Sequence, residues 1–397
     1  MNRNSSWMCS TAALFCCFAH RSVPSADSGA TPRVGASTDV HAVDPGWFDT
    51  STPPVVTPGQ PLDAAVGDID GDGVPDLAVV CDGVSQVALW RGLGDGHFAS
   101  LPGLRGTTPL WQVLLEDFNG DGRAEVVAAE GDVYGPAGDV RVWRSTPTGF
   151  ARADVYAQGR AGLLACADFD GDGRKDLAVA GHAQNKSFVQ VFHARTNGTF
   201  ELIGAADFGD GASGESELLA GDFDGDGATD LALSSAASCM NVVYGLGDGH
   251  FTAPVCTSTT FYHFELHAAA DLDLDGIDDV VFEERDPWSG FLFAFYGRPD
   301  RTFDFSGAYF ADLYDVCGAA IADVNANGKP DVVALDQTSL DVLTGDGQRG
   351  FDPPRSTALG DQEDDGKPIV ADLDLDGRPD VIVTRRFAQE IAVLMHR

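Results

Sequence analysis

The stretch Asp222-Phe223-Asp224-Gly225-Asp226-Gly227-Ala228-Thr229-Asp230-Leu231 decides how this chain is organised. Aspartates stand at its positions 1, 3, 5 and 9, and the glycine at position 6 permits a sharp turn. Leu231 at position 10 opens an apolar, β-branched run, so we expect the loop to lead into a strand. A single copy of such a pattern could be a solvated acidic turn.

The pattern occurs seven times, which excludes chance. The copies, numbered here as loops 1 to 7, begin at Asp68, Asp117, Asp168, Asp222, Asp271, Asp323 and Asp372, at intervals of 49 to 54 residues. Position 6 is always glycine: Gly73, Gly122, Gly173, Gly227, Gly276, Gly328 and Gly377. Position 9 is aspartate except for Glu125, and position 10 is always Leu or Val. A fixed period near 50 with several short strands per repeat is typical of propeller blades.

The chemistry of the loops favours calcium. Calcium takes 6–8 oxygen ligands, and aspartates at positions 1, 3, 5 and 9 with a backbone carbonyl at position 7 can supply them. Five loops hold four carboxylates each, the second holds three and the sixth holds two. The formal net charge of −36 argues against nucleic acid, which requires a basic surface. We interpret the acidity mainly as metal ligation, with up to seven Ca²⁺, one per repeat.

Each repeat carries four short strand-like runs joined by tight turns. In the first repeat they are Leu62–Val66, Leu77–Val80, Gln86–Trp90 and a run opened by Phe98. The phenylalanine that closes the third turn recurs at 98, 150, 200, 251, 303 and 351, and we interpret it as packing between blades. No window of helical periodicity competes with the strands. The sequence therefore predicts an all-β fold, a seven-bladed propeller of four-stranded antiparallel blades.

The repeats resemble FG-GAP/VCBS repeats, the units of calcium-binding β-propellers in integrin α-subunits and many bacterial secreted proteins. The matching elements are the D-x-[DN]-x-[DN]-G-x-x-[DE]-[LV] loop and the G-x-F turn, which together cover about residues 47–397. The resemblance implies that the ligands stand at positions 1, 3, 5 and 9, with the carbonyl of position 7. The implied ligands are Asp68, Asp70, Asp72, Val74, Asp76; Asp117, Asn119, Asp121, Arg123, Glu125; Asp168, Asp170, Asp172, Arg174, Asp176; Asp222, Asp224, Asp226, Ala228, Asp230; Asp271, Asp273, Asp275, Ile277, Asp279; Asp323, Asn325, Asn327, Lys329, Asp331; and Asp372, Asp374, Asp376, Arg378, Asp380. The Phe-Gly and Gly-Ala-Pro elements of the eukaryotic motif are missing, so integrin-like partner binding is not implied.

The spacing of the phenylalanines predicts how the ring closes. Each marker lies 18–22 residues before the next loop, and Phe48 lies 20 before Asp68. The seventh repeat has its third run, Ile391–Leu394, but the chain stops at Arg397 before a fourth. We predict that Trp47–Val56 supplies this strand and closes the ring, leaving no open blade edge. The alternative is that this segment is only a linker.

The first residues are typical of an exported protein. Residues 1–26 combine an early cation with a short apolar stretch and small residues, as in a signal peptide cleaved after Ala19 or Ala26. The stretch is too short to span a bilayer; the alternative is a disordered tail or a misplaced start codon. Residues 27–43 are interpreted as a flexible linker and 44–397 as the propeller. Secretion or a periplasmic location agrees with weak calcium sites, which millimolar calcium outside cells would fill.

The sequence contains no catalytic motif that we can identify. Aromatic and basic residues gather in segments expected on the face opposite the acidic loops: Phe261, Tyr262, His263, Phe264, Trp288, Tyr314, Arg160, His182, Arg385 and Arg386. Aromatic platforms flanked by polar groups suit sugars, although ordinary loop packing is the alternative. Three functions stay open: non-catalytic binding of an extracellular glycan or protein, a polysaccharide lyase or dehydratase, and a structural envelope module. We prefer the first hypothesis. The sequence does not determine the oligomeric state.

Cys239 and Cys256 flank the third-to-fourth-strand turn of the fourth repeat. Pairing Tyr244 with Phe251 across that turn also sets the two cysteines opposite each other. Opposed residues on antiparallel strands have Cβ atoms about 4.5–5.5 Å apart, close to disulfide reach. The two cysteines are therefore either a disulfide or two buried thiols.

Overall fold

The computed structural model describes residues 47–131, 139–155, 160–183, 186–210, 217–235, 239–258, 264–286, 289–305, 309–310, 316–359 and 366–397. Every helix or strand in these residues is a β-strand. None of the described residues forms a helix long and apolar enough to cross a membrane. The predicted signal peptide, its two cleavage points and the linker 27–43 lie outside the described residues.

The first four blades are antiparallel sheets whose strands follow the chain order. Their strands are β3 (Pro61–Gly67), β4 (Asp76–Cys81), β5 (Gln86–Gly92) and β6 (Phe98–Arg105) in blade 1; β7 (Leu110–Glu116), β8 (Glu125–Glu130), β9 (Asp139–Thr146) and β10 (Gly149–Arg152) in blade 2; β11 (Arg160–Ala167), β12 (Asp176–Ala183), β13 (Lys186–Ala194) and β14 (Phe200–Asp210) in blade 3; and β15 (Leu218–Gly221), β16 (Asp230–Ser235), β17 (Cys239–Val243) and β18 (Val255–Ser258) in blade 4.

The remaining blades have the same plan with two additions. Their strands are β19 (Phe264–Ala270), β20 (Asp279–Asp286), β21 (Ser289–Gly297), β22 (Phe303–Asp304) and β23 (Tyr309–Phe310) in blade 5; β24 (Gly318–Ala322), β25 (Asp331–Leu335), β26 (Ser339–Leu343) and β27 (Arg355–Ala358) in blade 6; and β28 (Pro368–Ala371), β29 (Asp380–Arg385) and β30 (Glu390–His396) in blade 7. Blade 7 is completed by β1 (Phe48–Asp49) and β2 (Val55–Val56), which both pair with β30.

The first strands of the blades form the inner ring of the molecule. Each of them neighbours the first strand of the next blade, and β28 of blade 7 neighbours β3 of blade 1. The seven sheets therefore close into a seven-bladed propeller, as the 50-residue period predicted.

The hydrophobic cores between blades contain residues of the acidic loops together with the marker phenylalanines. The position-2 residue of each loop is buried, and it lies in one hydrophobic cluster with the marker phenylalanine of the following blade. The pairs are Ile69 with Phe150, Phe118 with Phe200, Phe169 with Phe251, Phe223 with Phe303, Leu272 with Phe351, Val324 with Phe48, and Leu373 with Phe98. The interpretation of the markers as packing residues is confirmed, and packing ties each loop to its neighbouring blade.

The amino-terminal segment closes the ring. Phe48 opposes His396 and Val55 opposes Ile391, so the segment pairs antiparallel with both ends of β30. Phe48 is fully buried and packs with Val324 of blade 6. The prediction that residues 47–56 supply the missing fourth strand is confirmed.

A disulfide joins Cys239 and Cys256, with a Cα–Cα distance of 5.7 Å. The expected register was wrong, because Cys239 opposes Ser258 and Cys256 opposes Asn241. The turn closes on Gly245 and Phe251, not on Tyr244, and the fourth strand resumes only at Val255. Pro254 has no N–H to donate to a ladder, which agrees with the interrupted pairing before Val255.

Non-reducing peptide mapping should recover the peptides of Cys239 and Cys256 as one linked species. A C239S/C256S variant should lose roughly 3 kcal/mol of unfolding free energy, because the bridge closes a short loop in the unfolded chain. Cys166→Ala is the control, since it leaves the bridge intact. Recovery of both cysteines as thiols would end this assignment.

Candidate metal centre

The acidic loops lie between the first and second strands, so all seven open on one face of the propeller. In loop 1 the Asp68 carboxylate accepts hydrogen bonds from the N–H groups of Gly71, Asp72 and Gly73 at 2.6, 3.2 and 2.7 Å. Gly73 has a φ of +81°, in the left-handed region that favours glycine. The position-6 glycines of the other six loops have φ between +80° and +88°. The position-1 aspartate and this glycine thus fold each loop around one carboxylate.

The position-9 carboxylate fixes the loop to the rest of its blade. In loop 4 the buried Asp230 accepts from the Phe223 N–H at 2.8 Å and from the Gly245 N–H at 2.7 Å. Gly245 follows the third strand, so one side chain joins the loop to two strands. The position-9 residues of the other loops, Asp76, Glu125, Asp176, Asp279, Asp331 and Asp380, are also buried.

Burial makes these position-9 carboxylates costly to ionise. It raises the pKa of Asp76 to about 6, and those of Glu125, Asp230 and Asp279 to about 7. Neighbouring carboxylates of the same loop raise the pKa further. A cation placed among them would favour the ionised forms and offset that cost.

The loops bring together carboxylates that could hold a metal ion. In loops 1, 3, 4 and 5, oxygens of positions 1, 3 and 9 lie within 4.8 Å of one another. The groups are Asp68, Asp70 and Asp76; Asp168, Asp170 and Asp176; Asp222, Asp224 and Asp230; and Asp271, Asp273 and Asp279. At position 5 the side chain accepts from the position-7 N–H, as Asp226 does from Ala228 at 2.9 Å. The assignment of position 5 and of the position-7 carbonyls as ligands stays a prediction.

Two position-3 oxygens support the fit of a cation. Asp273 Oδ1 and Asn325 Oδ1 are buried and accept no hydrogen bond from any described residue. Buried polar atoms nearly always have a partner, so an unpaired oxygen at this place is an open ligand position. Hard oxygen donors of this kind match calcium or a similar divalent ion.

Sequence reasoning missed the nitrogens that contact the position-3 carboxylates. Asp70, Asp170, Asp224 and Asp273 each lie within 3.0 Å of an arginine or histidine nitrogen. Loops 2 and 6 have asparagine at position 3, and its amide donates to the position-9 carboxylate of the same loop instead. The signal in the sequence was that Arg301 and Arg349 stand two residues before the marker, where blades 1, 3 and 4 have Gly96, Gly198 and Gly249.

The opposite face is described only in part. Phe261, Tyr262, His263, Trp288 and Tyr314 lie outside the described residues, as do the side chains of Phe264, Arg160 and His182. Arg385 donates to Glu390 at 2.6 Å, and Arg386 lies 4.0 Å from Asp82 of blade 1. Phe387, in the turn between β29 and β30, is 64% exposed. An accessible aromatic ring therefore stands beside charged groups at the junction of blades 7 and 1.

The repeats match a known protein family. The family described as FG-GAP-like repeat matches residues 68–128, 117–179, 168–233, 222–282 and 323–383, and these ranges include all seven loops. The chain belongs to the FG-GAP-like repeat family. No curated protein was found to match it.

Solved structures of similar fold include a lectin and two rhamnogalacturonan lyases. A lectin of Agrocybe aegerita that recognises non-reducing terminal N-acetylglucosamine is 19% identical, with a TM-score of 0.50, over 76% of this chain and 81% of the lectin. The rhamnogalacturonan lyase YesW is 18% identical, with a TM-score of 0.51, over 88% of this chain and 75% of the lyase. A rhamnogalacturonan lyase of Bacillus licheniformis is 18% identical, with a TM-score of 0.50 and the same coverage. At these identities the likeness concerns the fold alone.

Calcium should leave the seven loops unequally. We expect loop 6 to empty first during chelation, because Asn325 and Asn327 are neutral where loop 4 has Asp224 and Asp226. Loop 2, with Asn119, should follow. Anomalous scattering from crystals equilibrated at decreasing free calcium measures each occupancy separately.

The N325D/N327D variant provides the matched control for this order. It gives loop 6 carboxylates at positions 3 and 5, as in loop 4, and it should delay the emptying of loop 6 without changing the emptying of loop 2. Loop 4 or loop 5 emptying before loop 6 would contradict the charge argument.

Proposed function

We propose that this protein is a secreted calcium-binding propeller that binds an extracellular glycan without catalysis. Calcium is supported by clustered carboxylates in loops 1, 3, 4 and 5, and by the unpaired buried oxygens of Asp273 and Asn325. The residues that would hold the ions are those at positions 1, 3, 5 and 9, with the position-7 carbonyl. Bound calcium would neutralise the loop carboxylates and so stiffen the scaffold. The disulfide agrees with export, since such bonds persist in oxidising compartments.

The observation that carries glycan binding is the exposed ring of Phe387. Aromatic faces pack against the apolar face of a sugar, and here the ring is 64% accessible. Arg386 is the residue before Phe387 and lies 4.0 Å from Asp82, and these two side chains offer a hydrogen-bond donor and an acceptor for sugar hydroxyls. The turn is held by the Arg385–Glu390 ion pair, so the platform is presented on a fixed hairpin.

The structural neighbours give independent support of a weaker kind. One is a lectin for terminal N-acetylglucosamine, and two are rhamnogalacturonan lyases. These three proteins bind or cleave carbohydrates on a similar fold. Their likeness to this chain does not extend to the residues on its surface. Fold does not fix function, so the proposal depends on the site.

A glycan array probed with residues 44–397 in excess calcium tests the proposal. We expect binding to a defined glycan class, and a roughly tenfold loss with Phe387→Ala, which corresponds to about 1.4 kcal/mol for the lost packing of the sugar on the ring. Leu246→Ala is the control, since that side chain is similarly exposed, at 57%, on the other face.

Two results would overturn glycan binding at this platform. One is an array without signal for the wild-type protein, and the other is a Phe387→Ala variant that binds as well as the wild type. Release of unsaturated products from rhamnogalacturonan would favour the lyase alternative over non-catalytic binding.

A further inference from the structure

In four of the loops, a side-chain nitrogen of an arginine or a histidine contacts the Oδ2 oxygen of the position-3 aspartate. The distances to Oδ2 are 3.0 Å for Arg91 and Asp70, 2.9 Å for His193 and Asp170, 2.7 Å for Arg301 and Asp224, and 2.6 Å for Arg349 and Asp273. Each of these four loops has aspartate at position 3 and three carboxylates close enough together to hold a metal ion. In each of them the nitrogen therefore contacts a negatively charged side chain that is also a candidate ligand.

The nitrogens arrive by two different routes. Arg91 and His193 come from the third strand of the same blade as the loop they contact. Arg301 and Arg349 come from the third-to-fourth-strand turn of the next blade, so they cross the interfaces 4/5 and 5/6. Two unrelated places in the repeat thus supply the same contact.

Each crossing arginine is held in place by a tyrosine of the blade that it reaches. The guanidinium carbon of Arg301 lies 4.7 Å from the ring centre of Tyr244, and that of Arg349 lies 4.2 Å from the ring centre of Tyr296. The Tyr244 hydroxyl also donates to the Arg301 carbonyl at 3.1 Å. Stacking on a ring and pairing with a carboxylate are the two contacts that suit a planar guanidinium.

The backbone at both arginines is unfavourable for an ordinary residue. Arg301 has a φ of +63° and Arg349 a φ of +72°, whereas blades 1 and 4 have Gly96 at +77° and Gly249 at +81° in the same place, two residues before the marker. A left-handed conformation costs a non-glycine residue free energy. The side-chain contacts with the neighbouring loop offset that cost.

We propose that Arg301 and Arg349 are built-in counter-cations, which hold loops 4 and 5 when no ion is bound and lower the calcium affinity of those loops. The inference rests on the proposed calcium binding. A fixed positive charge on a ligand carboxylate repels a divalent ion, and without the ion it offsets the repulsion among the aspartates. The two interfaces therefore keep an inter-blade clasp that does not depend on calcium.

The geometry of loop 5 lets arginine and ion share one carboxylate. Arg349 contacts Asp273 Oδ2, while Oδ1 of the same group is buried and accepts no hydrogen bond from any described residue. The Asp273 side chain is only 8% exposed. One oxygen is thus occupied by the guanidinium and the other is open to an ion, so the arginine weakens the site without replacing it.

The test replaces Arg301 by asparagine, which is neutral and tolerates a positive φ. Wild-type and R301N crystals are equilibrated at one sub-saturating concentration of free calcium, and anomalous scattering gives the occupancy of loop 4 relative to loop 7. We expect the Kd of loop 4 to fall about tenfold in R301N. The melting temperature of R301N in excess EDTA should lie below that of the wild type.

Two controls separate charge from structure. Arg301→Lys keeps the charge and should leave the occupancy of loop 4 close to the wild-type value. Arg195→Asn removes an arginine from the third-to-fourth-strand turn of blade 3, where it pairs with Glu201, and it should change neither quantity. R349N, with the occupancy of loop 5 as readout, repeats the measurement at an independent interface.

The outcomes distinguish this inference from the proposal on which it rests. Wild-type crystals without calcium in any loop would overturn the calcium proposal and this inference together. Calcium in the wild-type loops with an R301N occupancy that is unchanged or lower at loop 4 would overturn this inference alone. An unchanged melting temperature of R301N in EDTA would exclude the calcium-independent clasp.

Discussion

Excess EDTA is expected to lower the melting temperature of this protein by more than about 10 °C relative to excess calcium. Each ion that binds only the folded state adds RT ln(1 + [L]/Kd), or about 2.7 kcal/mol at 100 times its Kd. The chain has seven candidate loops for such ions, so occupancy of only some of them would add many kcal/mol to the free energy of unfolding. For a chain of this size that contribution corresponds to a shift of roughly 10 °C or more.

The structural reason lies in the position-9 carboxylates. They are buried in every loop, and the burial that raises the pKa of Asp230 and Asp279 to about 7 is a free-energy cost at neutral pH that a bound cation would reduce. Asp230 and Asp279 also fix their loops to the end of the third strand, so loss of the ion weakens the blade itself.

Differential scanning calorimetry in calcium, in EDTA and in EDTA followed by excess calcium measures the effect and its reversibility. Magnesium at equal ionic strength is the control for general screening, since it demands a stricter octahedral site. A D222N/D230N variant, which removes two carboxylates from loop 4, should reduce the calcium-dependent shift without abolishing it. A melting temperature equal in calcium and EDTA would refute the metal interpretation of the loops.

The fold could be predicted from the sequence because the same local structural constraints recur in all seven repeats. A glycine at position 6 requires a left-handed backbone, and all seven glycines have it. The phenylalanine spacing then located the fourth strand of blade 7 at Phe48, although that strand lies some 340 residues from its partner. Local rules were sufficient here because the hydrophobic cores that position the loops and markers form between neighbouring blades.

The contacts that cross between blades could not be predicted in the same way. Arg301 reaches Asp224 over 77 positions of the chain, and no local pattern links the two. The disulfide partners were identified correctly, but their register was not, since an irregular turn after Gly245 shifts the fourth strand. Both cases depend on tertiary geometry that a repeat period does not carry.

Removal of residues 44–57 is expected to destabilise the whole propeller. The deletion takes away β1 and β2, the only described partners of the outer edge of β30. It also removes Phe48, which is fully buried against Val324 of blade 6. Loss of a buried phenylalanine side chain alone costs about 3–5 kcal/mol.

The damage should extend beyond blade 7 because a propeller is a closed ring. With the fourth strand absent, the core between blades 6 and 7 loses the marker Phe48, and blade 7 presents the unpaired backbone of β30 to solvent. An exposed strand edge is a template for association with another chain. We therefore expect a lower melting temperature together with concentration-dependent oligomers in light scattering.

Two matched variants define what the result means. Deletion of residues 1–43 removes only the predicted leader and linker, and it should melt like the intact chain. Phe48→Ala keeps the β1 and β2 backbone pairing with His396 and Ile391 but loses the packing, so it should fall between the two deletions. If the chain without residues 44–57 melts at the intact temperature, the N-terminal strand does not hold the ring closed.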